Sequence, residues 1–409
     1  MLERKIYRKL DEWKRTSDKK ALCIIGARQI GKTTIIREFA KKNYEHYVEV
    51  NFILDKEAGK IFDGNLDADT IITNLTAFKM QEFVPGKTLI FLDEIQHVRS
   101  FEKVLASFRA TLNCSIFITG SNSKLLSGKM ATLLVGRCVE FRIMPFSFAE
   151  SYEYATAIGR NISPDEFMID YINWGGFPLR FSFTKESDIK RYLEQTYEGI
   201  LDKDIITDRS KVNRQNFERV ATYIMANAGK EFSSKNIENY FIHQNADTLD
   251  KKTIYRYLDK MEKACLIDRV KRFNIVGKQA MSYIEKQYAV DTGFRMINTN
   301  LVNFEDTFFL ENIIYNELKA RDYEVFTGKT YKGEIDFVAI NGRKKCFIQV
   351  AYYLAGKETI EREFGAFKPI SDASPKYVFS LDRFDYSRDG IAHINIVDFL
   401  LGKKDINLS

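Results

Sequence analysis

The sequence predicts an α/β protein in which a parallel sheet comes first, a mostly helical region follows, and a second α/β region ends the chain. Two patterns support this prediction. Over residues 1–150, short apolar runs rich in β-branched side chains alternate with helical patterns, as in a parallel sheet covered on both faces. From about residue 146 to residue 245 the apolar spacing is helical, and strand-like runs return only after it.

The first region, residues 1–150, contains four strand candidates. They are ALCIIG (21–26), YVEVNF (47–52), TLIFLD (88–93) and SIFITG (115–120). An amphipathic helix is expected over residues 2–16, and a second helix, TTIIREFAKK, follows the first strand. This alternation predicts that the strands are parallel.

The second region, residues 151–290, begins with helices that are interrupted by a glycine-rich turn, WGGFP. It ends in the order helix, turn, helix and β-hairpin, which is typical of a winged helix. The segments in that order are SSKNIENYF, DKKTIYRYLDKMEKACLI, IDRVKRFNI and KQYAV. The third region, residues 291–409, has the pattern of a helix followed by three strands.

Composition excludes several classes of protein. Hydrophobic residues make up 45% of the 409 residues and charged residues 29%, which excludes a disordered or fibrous chain. No run of eighteen apolar residues is present, and the first twenty residues are too charged for a signal peptide. Five dispersed cysteines indicate free thiols in a reducing cytoplasm, and four histidines without paired spacing argue against zinc. We expect a cytoplasmic protein without a membrane segment.

The most specific motif is GARQIGKT at residues 26–33, a complete phosphate-binding P-loop between a predicted strand and a predicted helix. Its glycines let backbone N–H groups point at a phosphate, and the helix N-terminus adds a positive dipole end. Lys32 is expected to contact the β- and γ-phosphates of ATP, and the Thr33 hydroxyl to bind Mg²⁺. The expected nucleotide-binding residues are Gly26, Ala27, Arg28, Gln29, Ile30, Gly31, Lys32, Thr33 and Thr34.

A second element of an ATPase site stands at the end of the strand TLIFLD, where two acids follow one another. Asp93 is expected to hold Mg²⁺ through water, and Glu94 to orient or deprotonate the attacking water. The alternative is that the pair caps the helix that begins at Ile95.

Two further residues are candidates for catalysis. Asn122 could hold the attacking water after the strand SIFITG, although Ser121 or Thr119 could do the same. Arg137 could stabilise charge on a γ-phosphate, or it could be an ordinary surface or ion-pair residue. The sequence leaves open whether Arg137 would act within its own subunit or on a neighbour, and with it the oligomeric state.

Several motifs together resemble one family. GARQIGKTT, TLIFLDEIQ, ITGSNSKLL, LLVGR with FRIMPFSFAE, YINWGGFP and KQYAVDTGF look like those of prokaryotic AAA-type ATPases that carry a C-terminal domain of unknown function. The resemblance covers nearly the whole chain. It implies a P-loop ATPase domain at 1–150, a helical and winged-helix domain at 151–290, and a restriction-endonuclease-like domain at 291–409.

The third region also resembles part of a nuclease motif. Glu317 on a helix, Asp336 with Glu334 on a strand, and Gln349-Val350-Ala351 on the next strand follow the layout of the PD-(D/E)-x-K nucleases. In those enzymes an acid and a lysine stand where this chain has Gln349 and Ala351, and they help to bind a metal and activate water. We therefore do not expect nuclease activity; the fold could still serve as a binding platform.

Positive charge is concentrated between residues 251 and 290, where ten Lys and Arg stand against four Asp and Glu. Arg256, Lys260 and Lys263 share the face of a predicted helix opposite its apolar residues. Such a helix suits a DNA groove, although an ordinary solvated face gives the same pattern. The expected partners are ATP, double-stranded DNA through residues 251–290 and a protein through residues 291–409.

The sequence therefore predicts a Mg²⁺-dependent AAA-type ATPase that couples ATP binding and hydrolysis to movement of its appended domains. Catalysis would rest on positioning and charge, supplied by the P-loop amides, Lys32, Mg²⁺ and Glu94. The alternative is a nucleotide-gated switch with negligible turnover, in which ATP only controls the binding of DNA or a protein.

Overall fold

The structure is a computed structural model, and it forms two compact units. The residues that it describes are 4–16, 21–111, 113–120, 134–206, 212–243, 249–275, 277, 279–298, 306–331 and 333–408. The N-terminal unit comprises Glu3–Met144 and Ile200–Thr207, and the C-terminal unit comprises Pro145–Gly199 and Asp208–Ser409. The short segment Ile200–Thr207, which the sequence places in the middle region, thus belongs to the N-terminal unit.

A five-stranded parallel sheet is the centre of the N-terminal unit. Its strands are β1 (Ala21–Ile25), β2 (His46–Asn51), β3 (Thr88–Asp93), β4 (Ser115–Thr119) and β5 (Cys138–Arg142). The order is β2-β3-β4-β1-β5, and every neighbouring pair is parallel. The helices are α1 (Ile6–Thr16), α2 (Lys32–Asn43), α3 (Ala68–Lys79) and α4 (Phe101–Thr111). The predicted α/β class with a parallel sheet, as in P-loop NTPases, is confirmed.

Burial along the strands follows from this order. Strands β1 and β3 are buried at every position, as expected for inner strands covered on both faces. Strand β5 lies at the edge, and its residues are half-buried or exposed. The sequence does not predict this strand, because the short segment CVEFR mixes polar and apolar residues without a clear strand pattern.

The C-terminal unit begins as a helical array. The helices are α5 (Phe148–Ala157), α6 (Pro164–Trp174), α7 (Glu186–Ile200), α8 (Arg214–Ala226), α9 (Ser234–His243), α10 (Lys251–Lys263), α11 (Thr292–Asn298), α12 (Asp306–Ala320), α13 (Lys357–Gly365) and α14 (Ile396–Leu400). Helices α5 and α6 start in reciprocal capping boxes, in which Ser147 pairs with Glu150 and Ser163 with Glu166. None of the described helices has the length and apolarity needed to cross a membrane.

A seven-stranded mixed sheet completes the C-terminal unit. Its strands are β6 (Ile267–Asn274), β7 (Gln279–Ala289), β8 (Glu324–Lys329), β9 (Glu334–Asn341), β10 (Lys344–Val350), β11 (Lys376–Ser380) and β12 (Ile391–Asn395), in the order β12-β11-β10-β9-β8-β6-β7. The predicted hairpin β6–β7 extends this sheet because β6 also pairs with β8. Strands β6 and β7, which precede residue 290, therefore lie in one sheet with β8–β12.

Two glycine-containing motifs of the C-terminal unit meet at one buried carboxylate. Asp291 accepts backbone hydrogen bonds from Gly176, in the predicted WGGFP turn, at 2.7 Å and from Gly293 at 2.9 Å. A Cβ on Gly176 would lie 2.0 Å from the carbonyl oxygen of Phe146. The backbones approach too closely here for any side chain.

Candidate nucleotide-binding site

The residues predicted to form the site lie at the carboxyl edge of the parallel sheet. Because the strands are parallel, the segments that follow them meet at one edge. The register places Asn51 beside Asp93 and Ile24 beside Thr119. The polar ends of β2, β3 and β4 therefore adjoin the P-loop, which follows β1.

The P-loop backbone has the conformation of an anion-binding nest. The φ angles are 148° at Gly26, 63° at Gln29 and 87° at Gly31, and the value at Gln29 is uncommon for a residue with a side chain. The Lys32 ammonium donates to the carbonyl oxygens of Gly26, at 3.0 Å, and Ala27, at 2.8 Å. The structure thus places the Lys32 ammonium against the backbone of its own loop.

Gly26 is required by packing as well as by its φ angle. A Cβ at this position would lie 2.4 Å from both the Ile143 carbonyl oxygen and the Cδ1 atom of Ile30. Ile143 is fixed in place because its N–H donates to the Ile25 carbonyl at 2.8 Å. The side chain of Ile30 is fully buried, which anchors the middle of the loop in the protein interior.

Three donors surround the buried Asp93 carboxylate. Thr119 donates to Oδ1, Asn51 donates to Oδ2 at 2.8 Å, and the Thr33 hydroxyl donates to Oδ2 at 3.3 Å. Burial raises the pKa of Asp93, the Thr119 hydrogen bond opposes that rise, and the negative charge of Glu94 adds to it. Asp93 and Thr33 are therefore adjacent, as the sequence predicts, with Asn51 and Thr119 fixing the carboxylate.

Glu94 occupies a strained backbone position. Its φ and ψ angles are 58° and 42°, in the left-handed region that a residue with a side chain adopts at a cost of about 1 kcal/mol or more. Its N–H donates to the Thr119 hydroxyl at 3.2 Å, and its carboxylate accepts from Gln96 at 2.6 Å. Strain of this kind clusters at functional sites because the turn must aim a particular side chain. The proposed helix-capping role is not seen, since Glu94 makes no side-chain cap.

Comparisons with known proteins identify the family of this chain. A family model described as an AAA domain matches residues 18–152, and one described as a domain of unknown function matches residues 165–305. An uncharacterized protein of Haemophilus influenzae is 31% identical over 328 residues, which are 79% of this chain and 80% of its own length. The chain belongs to this family of AAA-domain proteins. The AAA domain contains the P-loop and both acids, which supports nucleotide binding.

Two further relatives extend the comparison. An uncharacterized protein of Methanocaldococcus jannaschii is 28% identical over 394 residues, which are 92% of this chain and 84% of its own length. Among solved structures, a Walker-type ATPase of Pyrococcus abyssi is 16% identical, with a TM-score of 0.47 over 73% of this chain and 96% of its own.

An ion pair that the sequence did not predict holds the AAA domain's P-loop from outside. Arg28 donates from Nε to one Asp204 oxygen at 2.7 Å and from Nη2 to the other at 2.9 Å. Asp204 lies in the segment Ile200–Thr207, more than 170 residues along the chain. No local motif marks Asp204, because only the fold brings it to the loop. Thr34 of the predicted site is exposed on α2.

Arg137 does not lie near the P-loop of its own AAA domain. Its carbonyl accepts from the N–H of Ala21, at the amino end of β1, whereas the P-loop follows the carboxyl end. Strands advance about 3.3 Å per residue, so the two ends of β1 are roughly 13 Å apart. A role toward a neighbouring chain remains a prediction. The arginine of β5 at the carboxyl edge is Arg142, which pairs with Ile25. Asn122 and Ser121 lie outside the described residues.

Three acidic side chains of the C-terminal unit surround one lysine, Lys286. Lys286 of β7 contacts Glu311 at 2.7 Å and Glu334 at 2.5 Å, and lies 4.0 Å from Asp336. Burial lowers the pKa of Lys286, but these three carboxylates outweigh burial and raise it above its usual value. Glu317, which the nuclease-like layout singles out, instead pairs with Arg321 at 2.6 Å.

The two remaining residues of that layout, Gln349 and Ala351, are both buried. Gln349 accepts from the N–H of Asp336 at 2.7 Å and donates to Glu363 at 3.1 Å. Within the described part of the chain, no group of three or more His, Cys, Asp or Glu residues is arranged to hold a metal ion.

Proposed function

We propose that the protein is a Mg²⁺-dependent ATPase whose nucleotide cycle controls the binding of double-stranded DNA by the C-terminal unit. The observation that carries the proposal is the convergence of the P-loop, Thr33, Asp93 and Glu94 at one edge of the sheet. A P-loop alone would suit any phosphate ligand. A carboxylate beside the P-loop threonine and a second acid aimed from a strained turn are what hydrolysis requires.

The oxygen donors near the loop fit a magnesium ion. Mg²⁺ prefers hydroxyl and carboxylate oxygens and keeps several of its waters, and Thr33 with Asp93 offers one of each, 3.3 Å apart. When bound, the ion would neutralise charge on the β- and γ-phosphates. Asn51 and Thr119 would keep Asp93 oriented toward it.

The side chains of the chain divide the catalytic work. The P-loop N–H groups and Lys32 hold the phosphates, and Lys32 would exchange its loop carbonyls for phosphate oxygens. Glu94 orients a water and accepts its proton, while Gln96 donates a hydrogen bond to one oxygen of the Glu94 carboxylate. Thr119 couples the two acids, because its hydroxyl donates to Asp93 and accepts from the Glu94 backbone.

Thr119→Val is expected to lower ATP turnover roughly 10- to 100-fold, since valine keeps the shape but removes a hydrogen bond to a charged group worth about 1.5–3 kcal/mol. Turnover is measured by phosphate release at saturating ATP. Thr119→Ser keeps the hydroxyl and should retain most of the activity. Wild-type turnover in the valine variant would show that Thr119 does not organise the acids.

The DNA-binding proposal rests on α10 and its neighbours. Helices α8, α9 and α10 pack through aromatic pairs, with Phe217 and Tyr257 5.3 Å apart and Tyr223 and Tyr240 5.1 Å apart. The antiparallel pair β6–β7 follows α10 directly, in the order of a winged helix. The apolar face of α10 is buried, so its basic face is turned away from the core.

The cations of α10 that we propose to contact DNA are Arg256, Lys260 and Lys263. Arg269 is bound by Asp259 at 2.6 Å and by Glu262, and Lys286 lies in the buried acid cluster. Arg256 and Lys263 are exposed, and burial together with their positive charges lowers the pKa of Lys260. The phosphate backbone of DNA would reduce the electrostatic repulsion among these three cations. DNA is therefore the partner that we favour.

The test of the proposed function is MgATP hydrolysis by the purified protein, with and without double-stranded DNA, using Lys32→Ala as the blank. Hydrolysis that DNA changes would support a DNA-coupled ATPase. Binding of ATP with turnover no higher than the blank would favour the nucleotide-gated switch instead. Stimulation by RNA and not by DNA would overturn the choice of partner.

Replacing Arg256, Lys260 and Lys263 together with glutamine should weaken DNA binding and make the dependence of log K on log salt shallower by about 2–3. The measurement is fluorescence anisotropy of a labelled duplex over a range of salt concentrations. A matched variant removes the same charge from exposed sites elsewhere in the unit, at Lys190, Lys357 and Lys403. Equal effects of the two triple variants would mean that net charge, not α10, governs binding.

A further inference from the structure

We propose that Asp204 is a positioning residue for the nucleotide site, which holds the P-loop through Arg28 and links nucleotide binding to the segment Ile200–Thr207. The inference rests on the proposed ATP binding, and it names a residue that no motif assigns to the site. Its starting observation is the two-point contact between the Arg28 guanidinium and the Asp204 carboxylate.

The contact has the geometry of a specific pair. Both carboxylate oxygens accept from the guanidinium, at 2.7 and 2.9 Å, and only 7% of the Asp204 side chain is exposed. A two-point arginine–carboxylate pair fixes orientation as well as distance, and partial burial limits its screening by salt. The middle of the P-loop is therefore held by a side chain from outside the loop.

The segment that carries Asp204 is itself anchored. Residues Leu201–Ile205 form a single π-helical turn, and the side chains of Leu201 and Ile205 at its two ends are fully buried. Such turns are rare and are frequent at functional sites. In the chain, this segment follows Gly199 and precedes Asp208, which both belong to the C-terminal unit.

The negative charges of Asp204 and Glu94 stabilise the positive charge of Arg28. Burial lowers the pKa of Arg28, but the hydrogen bond and charge of Asp204, with a contribution from the charge of Glu94, raise it overall. Arg28 therefore stays charged, and its charge keeps it paired with Asp204.

Any coupling between this contact and nucleotide binding is reciprocal. If nucleotide changes the contact between Arg28 and Asp204, then loss of the contact must change nucleotide affinity by the same factor. We expect that Asp204 preorganises the loop for phosphate, because it holds Arg28 while the backbone N–H groups stay turned inward. Removing it should weaken ATP binding, and removing Arg28 should have no additional effect.

A double-mutant cycle tests the proposal with Arg28→Ala, Asp204→Ala and the double variant. Each single variant should raise the Kd for a fluorescent ATP analogue about tenfold, and the double variant should match the singles. Asp204→Asn keeps the size of the side chain and serves if Asp204→Ala does not fold; Asp204→Glu should recover part of the affinity. Asp202→Asn, on the exposed side of the same turn, is the matched control.

Hydrogen exchange distinguishes the positioning role of Asp204 from a purely structural one, which would not make exchange depend on nucleotide. In the wild type, nucleotide should change exchange in residues 200–206, and in Arg28→Ala it should not. Affinities that add independently, or wild-type affinity in both Asp204 variants, would overturn the positioning role. If the wild type and Lys32→Ala both fail to bind the analogue, the proposed ATP binding itself is wrong, which is a distinguishable result.

Discussion

Glu94→Gln is expected to bind MgATP within about threefold of the wild-type affinity while its turnover falls roughly 10²- to 10³-fold. Glutamine preserves the size of the side chain, and its amide oxygen can still accept from Gln96. It cannot accept a proton from water, so the step that the acid serves is lost while binding is retained. Phosphate release under saturating ATP measures turnover, and titration with a fluorescent ATP analogue measures affinity.

The controls for Glu94→Gln come from the same unit. Glu57→Gln changes an exposed glutamate with a similar left-handed φ angle, 65°, and should behave as the wild type. Lys32→Ala should lose ATP binding altogether, because the variant lacks the cation at the P-loop. Wild-type turnover in Glu94→Gln would remove Glu94 from its assigned role and shift attention to the residues after β4.

The nucleotide site could be predicted because its main parts are local in sequence. The P-loop is one continuous motif, and Asp93 with Glu94 ends one apolar strand, so the parallel sheet needs only to bring two strand ends together. Asn51 ends β2 in the same way, and a polar residue at that strand end was the available signal. Asp204 had no such signal, because a π-helical turn far along the chain reaches the loop only through the fold.

In the C-terminal unit, by contrast, the contacts of the acidic residues could not be predicted from the sequence. The helix α12 and the strands β8 and β9 follow their apolar patterns, yet the sequence selected Glu317 as the acid near Asp336. Glu311 lies six residues earlier, about 600° around a helix with 3.6 residues per turn, so the two glutamates point in different directions. Lys286 could not be predicted as the partner of Glu311, since the strand of Lys286, β7, joins the sheet through β6, which pairs with β8.

Lys286→Met is expected to destabilise the C-terminal unit by about 3–5 kcal/mol at pH 8, which is the typical effect of removing one partner from a buried ion pair. Lys286 is 3% exposed, and its ammonium is the shared cation of Glu311, Glu334 and Asp336. Methionine would fill most of the space but leave these carboxylates facing one another in a region of low polarity. The measurement is urea unfolding of the C-terminal unit.

Tryptophan placement makes that measurement specific. The chain has two tryptophans, and Trp13 lies in the N-terminal unit while Trp174 lies in the C-terminal unit. In a Trp13→Phe background, fluorescence therefore reports unfolding around Trp174. Lys357→Met removes a lysine that is 89% exposed and should change stability by less than about 0.5 kcal/mol.

The effect of pH distinguishes lost charge balance from lost packing. Burial raises the pKa values of Glu311 and Asp336 even in the wild type. Without Lys286 these values should rise further, so the folded variant binds protons that its unfolded chain releases, and its stability should improve as pH falls from 8 to 5. The wild type shares this dependence to a smaller extent, because Lys286 opposes the rise of both pKa values. The stability difference between the two proteins should therefore narrow at pH 5. A difference that is equal at both pH values would mean that Lys286 stabilises the sheet through its aliphatic chain and not through its charge.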